Sequence, residues 1–245
     1  MNRVPIRRPE SDEVQSSRSR RAIRVVTAHV RPGSFPLLLA AVLLNYVLNG
    51  LAIETTSGTL LVQLCHAAVV CAGIYVLSMN RVTIWLGLVP LIAQVVFTAH
   101  LWTPGPVIGR VVSDAVASGF LLWILGVVLR EVFRPTTSER DAVVGALSGF
   151  VIILTVFMRV HLLLEALVRG SYHVEGPPLA ERSDAQLVAV FQYFSTITLT
   201  TVGFGDIVPV TPSARLVTGL EAGVGQVYLA VVIAILVSRV AARRE

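Results

Sequence analysis

Six long apolar runs constrain the fold of this chain more than any other feature. A helix that crosses a bilayer core of about 30 Å needs roughly 20 mainly apolar residues. Charged residues make up only 14% of the chain, against roughly a quarter in soluble domains. The pattern predicts an all-α integral membrane protein with six transmembrane helices. The predicted spans are Phe35–Ile53, Thr59–Ser78, Val82–Leu101, Val107–Leu129, Asp141–Val168 and Arg215–Val240.

The arginines predict how these spans are oriented. All 20 basic residues are arginine, and eight of them precede the first span. Most of the others outside the spans lie in the second and fourth loops and after the sixth span, on the side that both chain ends share. Because basic residues favour the inner side, we expect both termini to be cytoplasmic in a multi-pass bacterial plasma membrane protein. The N-terminal arm could attract anionic lipid. No recognition helix or stacking aromatics accompany it, so we expect no nucleic-acid partner.

One apolar segment between the fifth and sixth spans is too short to be a span of its own. It runs from Ser183 to Thr200, opens with Ser-x-x-Gln in the form of a capping box, and stops at a loop that contains glycines. The chain on both sides must lie on the outer face. We therefore predict a re-entrant helix followed by a loop at membrane depth.

That loop has the sequence TTVGFGD, from Thr200 to Asp206. Non-helical backbone inside a membrane is tolerated only where it is buried in protein or lines a water-filled path. Inward-pointing backbone carbonyls can replace the water shell of a cation, and alternating glycines permit the positive φ values that this arrangement needs. The carbonyl end of the preceding helix adds a partial negative charge. These features favour a cation pathway over a generic glycine turn.

The stretch YFSTITLTTVGFGDIVPVTPSARLV, residues 193–217, resembles the pore helix, selectivity filter and following turn of the potassium channel family. The helix after it resembles the inner helix of that family, and the resemblance covers about residues 136–244. It implies potassium as the permeant ion, with no cofactor. The potassium sites would be lined by the carbonyls of Thr201, Val202, Gly203 and Phe204 and by the Thr201 hydroxyl.

The resemblance also assigns supporting residues around this filter. Gly203 and Gly205 would allow its backbone shape, and Asp206 would hold its outer mouth. Thr200 would support the filter, and Tyr193 and Phe194 would lie behind it. Two positions depart from the family pattern. Phe204 stands where many members have tyrosine, which removes a bracing hydroxyl, and Ile197 stands where some bacterial members place a glutamate that pairs with the aspartate.

A single filter segment on each chain predicts the assembly. A ring of carbonyls needs about four such segments, so we expect a homotetramer. The predicted domains are a basic cytoplasmic arm at residues 1–34, a four-helix transmembrane domain at residues 35–135, and a pore domain at residues 136–245.

The fourth predicted helix lacks the arginine pattern of a voltage sensor. Arg110 lies near its outer end with Asp114 one turn later, and the next arginines are Arg130 and Arg134 at the inner end. Each elementary charge that moves across the membrane yields only about 2.3 kcal/mol per 100 mV, so a sensor needs several. We therefore expect little or no voltage dependence.

Five residues within the predicted pore domain are candidates for a gate or an ion pair. Gly225 is either a hinge of the inner helix or a close-packing position that continues the face of Gly219 and Gly223. Glu221, an intramembrane carboxylate, could pair with Arg159 or with groups behind the filter. His161, with Glu165 four residues later, forms either a proton-sensitive pair or a solvated helix end.

Two alternatives to a channel remain open from the sequence. One is a membrane subunit of a potassium uptake system, although such transporters usually carry four filter-like segments on one chain. The other is a membrane anchor or sensor with a vestigial pore. No nucleophile set, paired carboxylates or phosphate loop indicates an enzyme.

Overall fold

The computed structural model describes residues 33–51, 56–76 and 107–242, with four single positions between residues 85 and 92. Almost all of the basic arm, nearly all of the predicted third span and the last three residues lie outside the described residues. The side chains of a few helical residues, including Arg110, lie outside them too.

The described chain is mainly helical. Its six helices are α1 (Phe35–Gly50), α2 (Thr56–Val76), α3 (Val107–Val132), α4 (Glu139–Leu167), α5 (Asp184–Leu199) and α6 (Pro212–Ala242). A short 3-10 helix, Leu179–Glu181, precedes α5. Two three-residue strands, β1 (Tyr172–Val174) and β2 (Ile207–Pro209), complete the described elements.

Three of these helices contain segments long and apolar enough to cross a membrane: Asp114–Val132, Glu139–Leu167 and Pro212–Ile235. The α1 helix and the Leu64–Val76 part of α2 are shorter apolar helices. The prediction of a helical membrane protein is thereby confirmed, whereas the count of six spans stays a prediction.

Local sequence explains where two of the helices begin. The Ser138 side chain accepts a hydrogen bond from the Asp141 N–H and caps α4. At the start of α5, Ser183 and Gln186 cap each other's backbone N–H groups, so the predicted capping box is confirmed. Such caps satisfy N–H groups that have no partner in the first helical turn.

The α4 helix connects the two halves of the described chain, because it packs against α1 and α3 on one side and against α5 and α6 on the other. The core of the first half is built from apolar side chains of α1 to α4, among them Phe35, Leu38, Ile124, Val128 and Ile152. In a membrane such side chains are held together by van der Waals packing, because the lipid tails around the helices are equally apolar.

An antiparallel strand pair links the two loops that flank α5. Tyr172 of β1 pairs with Pro209 of β2, and Val174 pairs with Ile207. The Val210 N–H also donates to the Ser171 carbonyl at 2.8 Å. The sequence analysis did not predict these strands, which tie the chain that leaves the glycine loop to the chain that enters α5.

Candidate functional site

The loop after α5 has positive φ at every second residue. The angles are +59° at Thr201, +54° at Gly203 and +85° at Gly205. Positive φ was expected at the two glycines, whereas Thr201 is the only non-glycine residue with positive φ in the described chain. A β-branched residue in this region is strained, and such strain concentrates at functional sites. In a regular strand successive carbonyls point to opposite sides of the chain. A positive φ at every second residue lets successive carbonyls point to the same side.

The N–H groups of this loop bond back to the last turn of α5. The Ile197 carbonyl accepts from the N–H groups of Val202 at 2.8 Å and Gly203 at 3.1 Å, and the Thr198 carbonyl accepts from Thr201 at 2.9 Å. These bonds hold the loop against α5 through its donors.

The carbonyls of the same loop are left free. No donor in the described part of the chain bonds the carbonyl oxygens of Thr201, Val202, Gly203 or Phe204, and all four residues are exposed. A row of four free carbonyls is an arrangement that can coordinate a cation.

The two predicted aromatic residues behind the loop have different contacts. Tyr193 stacks on Phe204, with ring centroids 6.5 Å apart and planes inclined by 6°. Phe194 is buried and meets His161 and Tyr172 edge-on, with centroids 5.0 Å and 5.5 Å away. Tyr193 therefore contacts the loop directly, whereas Phe194 belongs to the packing beneath it.

Asp206 lies at the outer end of the loop. Its carbonyl accepts a hydrogen bond from the Glu175 N–H at 2.9 Å. Its carboxylate oxygen Oδ1 is buried and has no hydrogen-bond partner within the described residues. A buried acceptor of this kind normally finds a donor.

Behind the loop, four buried side chains form one hydrogen-bonded network. His161 lies 2.8 Å from the Glu221 carboxylate through Nε2 and 2.6 Å from the Tyr172 hydroxyl through Nδ1. The Ser195 hydroxyl contacts the other Glu221 oxygen and the Leu154 carbonyl. We call these four side chains, Tyr172, His161, Glu221 and Ser195, the buried network. It connects β1, α4, α6 and α5.

The predicted pairing of Glu221 with Arg159 is wrong, and the alternative, groups behind the filter, is what the structure has. Arg159 lies 2.6 Å from the Asp114 carboxylate and 3.1 Å from His66 Nε2. Arg159 and His161 are two residues apart on α4, which places them on opposite faces of the helix. Arg159 therefore faces α2 and α3, and His161 faces β1, α5 and α6.

One further expectation about charged residues is also wrong. His161 does not pair with Glu165, because both ring nitrogens are bonded elsewhere and Glu165 accepts from the Gly170 N–H at 2.8 Å. Asp114 pairs with Arg159, and a pairing of Asp114 with Arg110 stays a prediction, because the Arg110 side chain lies outside the described residues.

Gly225 is a position of close backbone contact. A Cβ atom built there would overlap the Leu199 carbonyl oxygen, so no larger residue fits without a shift of α5 or α6. Among the described residues, Gly219 and Gly223 have no such neighbour within 4 Å. Of the two interpretations of Gly225, the structure supports close packing, and a hinge role stays a prediction.

Three residues of the site escaped the sequence analysis in these roles: Tyr172, Ser195 and Thr201 as a positive-φ residue. One signal for the buried network was available. His161 and Glu221 lie at a similar distance from the outer ends of their spans, and ionisable groups within membranes tend to pair with one another.

One family of known proteins matches the part of the chain that contains this loop. Residues 183–242 match the family model described as ion channel. These residues belong to an ion-channel family. The channel segment begins at the N-cap of α5 and ends with the last residue of α6, so it contains the whole glycine loop. The resemblance predicted from the sequence is thus confirmed. None of the curated proteins or solved structures compared with the chain matches it.

Proposed function

We propose that this ion channel is potassium-selective and conducts passively through a homotetrameric pore. The observation that carries the proposal is the row of four free, exposed carbonyls from Thr201 to Phe204. Four chains arranged around an axis would supply rings of such oxygens, which can replace the hydration shell of potassium.

The surroundings of the loop favour a cation. The α5 helix ends at Leu199, immediately before the loop, and the C-terminal end of a helix carries about half a negative charge. No Lys, Arg or His occurs between residues 184 and 214. The partial charges nearest to the carbonyl row are therefore negative.

The distribution of burial supports an assembly of several chains. In the apolar window of α6 only 11% of residues are buried, compared with 61% in α4. Val202 and Phe204 of the loop are 54% and 71% exposed, and Leu216, Leu220 and Val224 of α6 are exposed as well. Contact with neighbouring copies would cover these side chains and could give the buried Asp206 oxygen its missing donor.

The proposal also includes six spans, cytoplasmic termini and weak voltage dependence. The described part of α3 carries Asp114 and Arg130 but no row of arginines. Such a helix moves too little charge for a steep response to voltage.

Ion flux from liposomes tests the proposal. Purified protein should release potassium much faster than sodium, and Gly203→Ala should abolish this release, because alanine is strained at positive φ. Gly219→Ala is a matched control, since a Cβ there meets no atom of the residues that the structure describes. Equal release of the two ions would refute selectivity, and release indifferent to Gly203→Ala would refute the pore.

A further inference from the structure

Gln226 of α6 reaches the first residue of the filter loop. Its Nε2 donates a hydrogen bond to the Thr201 hydroxyl oxygen at 3.0 Å, across 25 positions of sequence. The neighbouring Gly225 explains how this contact arises, because its lack of a side chain lets α6 touch the backbone at Leu199. The glycine brings the two helices together, and the next residue of α6 then lies beside the loop.

The hydrogen bonds of the Thr201 hydroxyl leave one position free. A hydroxyl has one proton and two acceptor positions. Its proton is donated to the Thr200 carbonyl at 2.7 Å, and one acceptor position takes the Gln226 N–H. One lone pair of the oxygen remains. The two bonds together fix the direction in which this lone pair points.

Without Gln226 the hydroxyl would be held only by the Thr200 carbonyl of the adjacent residue. A hydroxyl with a single partner can rotate, and each rotation moves its lone pairs away from a fixed ligand position. The second bond comes from a different helix, so it also ties the start of the loop to α6. The side-chain amide oxygen of Gln226, Oε1, makes no hydrogen bond within the described residues.

We propose that Gln226 is a positioning residue that orients the Thr201 hydroxyl as a ligand of the innermost cation site and so sets how tightly that site holds a dehydrated cation. This inference rests on the proposed function and deepens it. Thr201 is the first residue of the carbonyl row, and its hydroxyl lies on the side of the loop that faces Gln226. Four copies would present four oriented hydroxyls to one ion.

Barium block of potassium flux measures this site. Ba²⁺ has nearly the radius of K⁺ and twice its charge, so a site that admits K⁺ binds it strongly and is blocked. Gln226→Leu removes the donor and should raise the half-blocking barium concentration roughly two- to tenfold, the range expected for the loss of one hydrogen bond. Val227→Ala, the next position of α6, should leave it unchanged.

A double-mutant cycle shows whether Gln226 acts through the hydroxyl. Thr201→Ala removes the hydroxyl, so the further change Gln226→Leu should then have no effect on barium block. A half-blocking barium concentration of Gln226→Leu equal to that of the wild type would overturn the inference. So would a Gln226→Leu change that shifts this concentration as much in the Thr201→Ala variant as in the wild type.

Two safeguards keep the test decisive. If Gln226→Leu fails to assemble, Gln226→Asn replaces it. Its shorter side-chain amide should also raise the half-blocking barium concentration. An unchanged concentration would overturn the inference. The Gly203→Ala variant separates the two proposals. Potassium flux that survives Gly203→Ala refutes the proposed function itself, whereas flux lost in Gly203→Ala with no effect of Gln226→Leu refutes only the role of Gln226.

Discussion

Glu221 of the inner helix α6 and His161 of α4 meet with Oε2 and Nε2 2.8 Å apart, and neither side chain has any exposed surface. Ser195 of α5 bonds the second carboxylate oxygen. A single carboxylate therefore holds together the three helices α4, α5 and α6.

Replacement of Glu221 by alanine should destabilise the protein strongly. The change removes the partner of His161 Nε2 in a buried site, and loss of one member of a buried pair costs about 3–5 kcal/mol. Glu221→Gln keeps a polar group of the same shape and should cost about 1 kcal/mol. Thermal unfolding of the detergent-solubilised protein checks both values, with the exposed Glu175→Gln as control. Unfolding of Glu221→Ala at the wild-type temperature would contradict a structural role of the network.

The Tyr172 hydroxyl should make stability fall at alkaline pH. Burial, with smaller contributions from the Glu221 and Glu165 carboxylates, raises the pKa of Tyr172 above its ordinary 10.0. A raised pKa means that the folded protein holds this proton while the unfolded chain loses it at a pH of about 10. This contribution to stability is therefore complete below pH 10 and declines above it.

Tyr172→Phe tests this dependence. The variant should unfold at lower temperature near neutral pH, because it lacks one hydrogen bond worth about 1 kcal/mol. Its unfolding temperature should fall less than that of the wild type between about pH 9 and about pH 11. Parallel pH profiles of the two proteins would show that Tyr172 does not titrate in this way.

Gly225→Ala should affect the filter as well as the gate. The added Cβ would meet the Leu199 carbonyl, two residues before Thr201, so the strain reaches the start of the filter loop. We expect a loss of about 1–3 kcal/mol in stability and a lower ratio of potassium to sodium flux. Gly219→Ala serves as the control on the same helix, and a normal flux ratio in Gly225→Ala would argue for a pure hinge.

Removal of the Asp114 charge alone should destabilise the protein more than removal of both charges of the pair between Asp114 and Arg159. The Arg159 side chain is only 7% exposed and that of Asp114 is 31% exposed. Asp114→Asn leaves a buried guanidinium unpaired and should cost about 3 kcal/mol. The double change Asp114→Asn with Arg159→Gln should be more stable than Asp114→Asn alone. Thermal unfolding in detergent measures this order, and a double variant that is the less stable of the two would contradict it.

The sequence predicted those features that depend on local pattern. Apolar runs located the helices, Ser183 and Gln186 located the start of α5, and the glycines located the two positive φ angles expected of them. Each of these follows from residues close together in the chain.

Contacts between distant segments were harder to predict. Arg159 was assigned to Glu221 because both are charged and lie at similar depth, but a two-residue offset on α4 turns Arg159 toward Asp114 and His161 toward Glu221. The contact of Gln226 with Thr201 depends on how closely Gly225 lets α6 approach α5. Such distances are set by tertiary packing, which residue spacing alone does not define.

The reversal potential of the purified protein in a planar bilayer tests the central claim most directly. With potassium on one side and sodium on the other, current should reverse far from zero, in the direction in which potassium carries nearly all of it. Gly203→Ala should carry no such current. A reversal near zero, with sodium and potassium equally permeant, would contradict the claim that the free carbonyls from Thr201 to Phe204 select potassium.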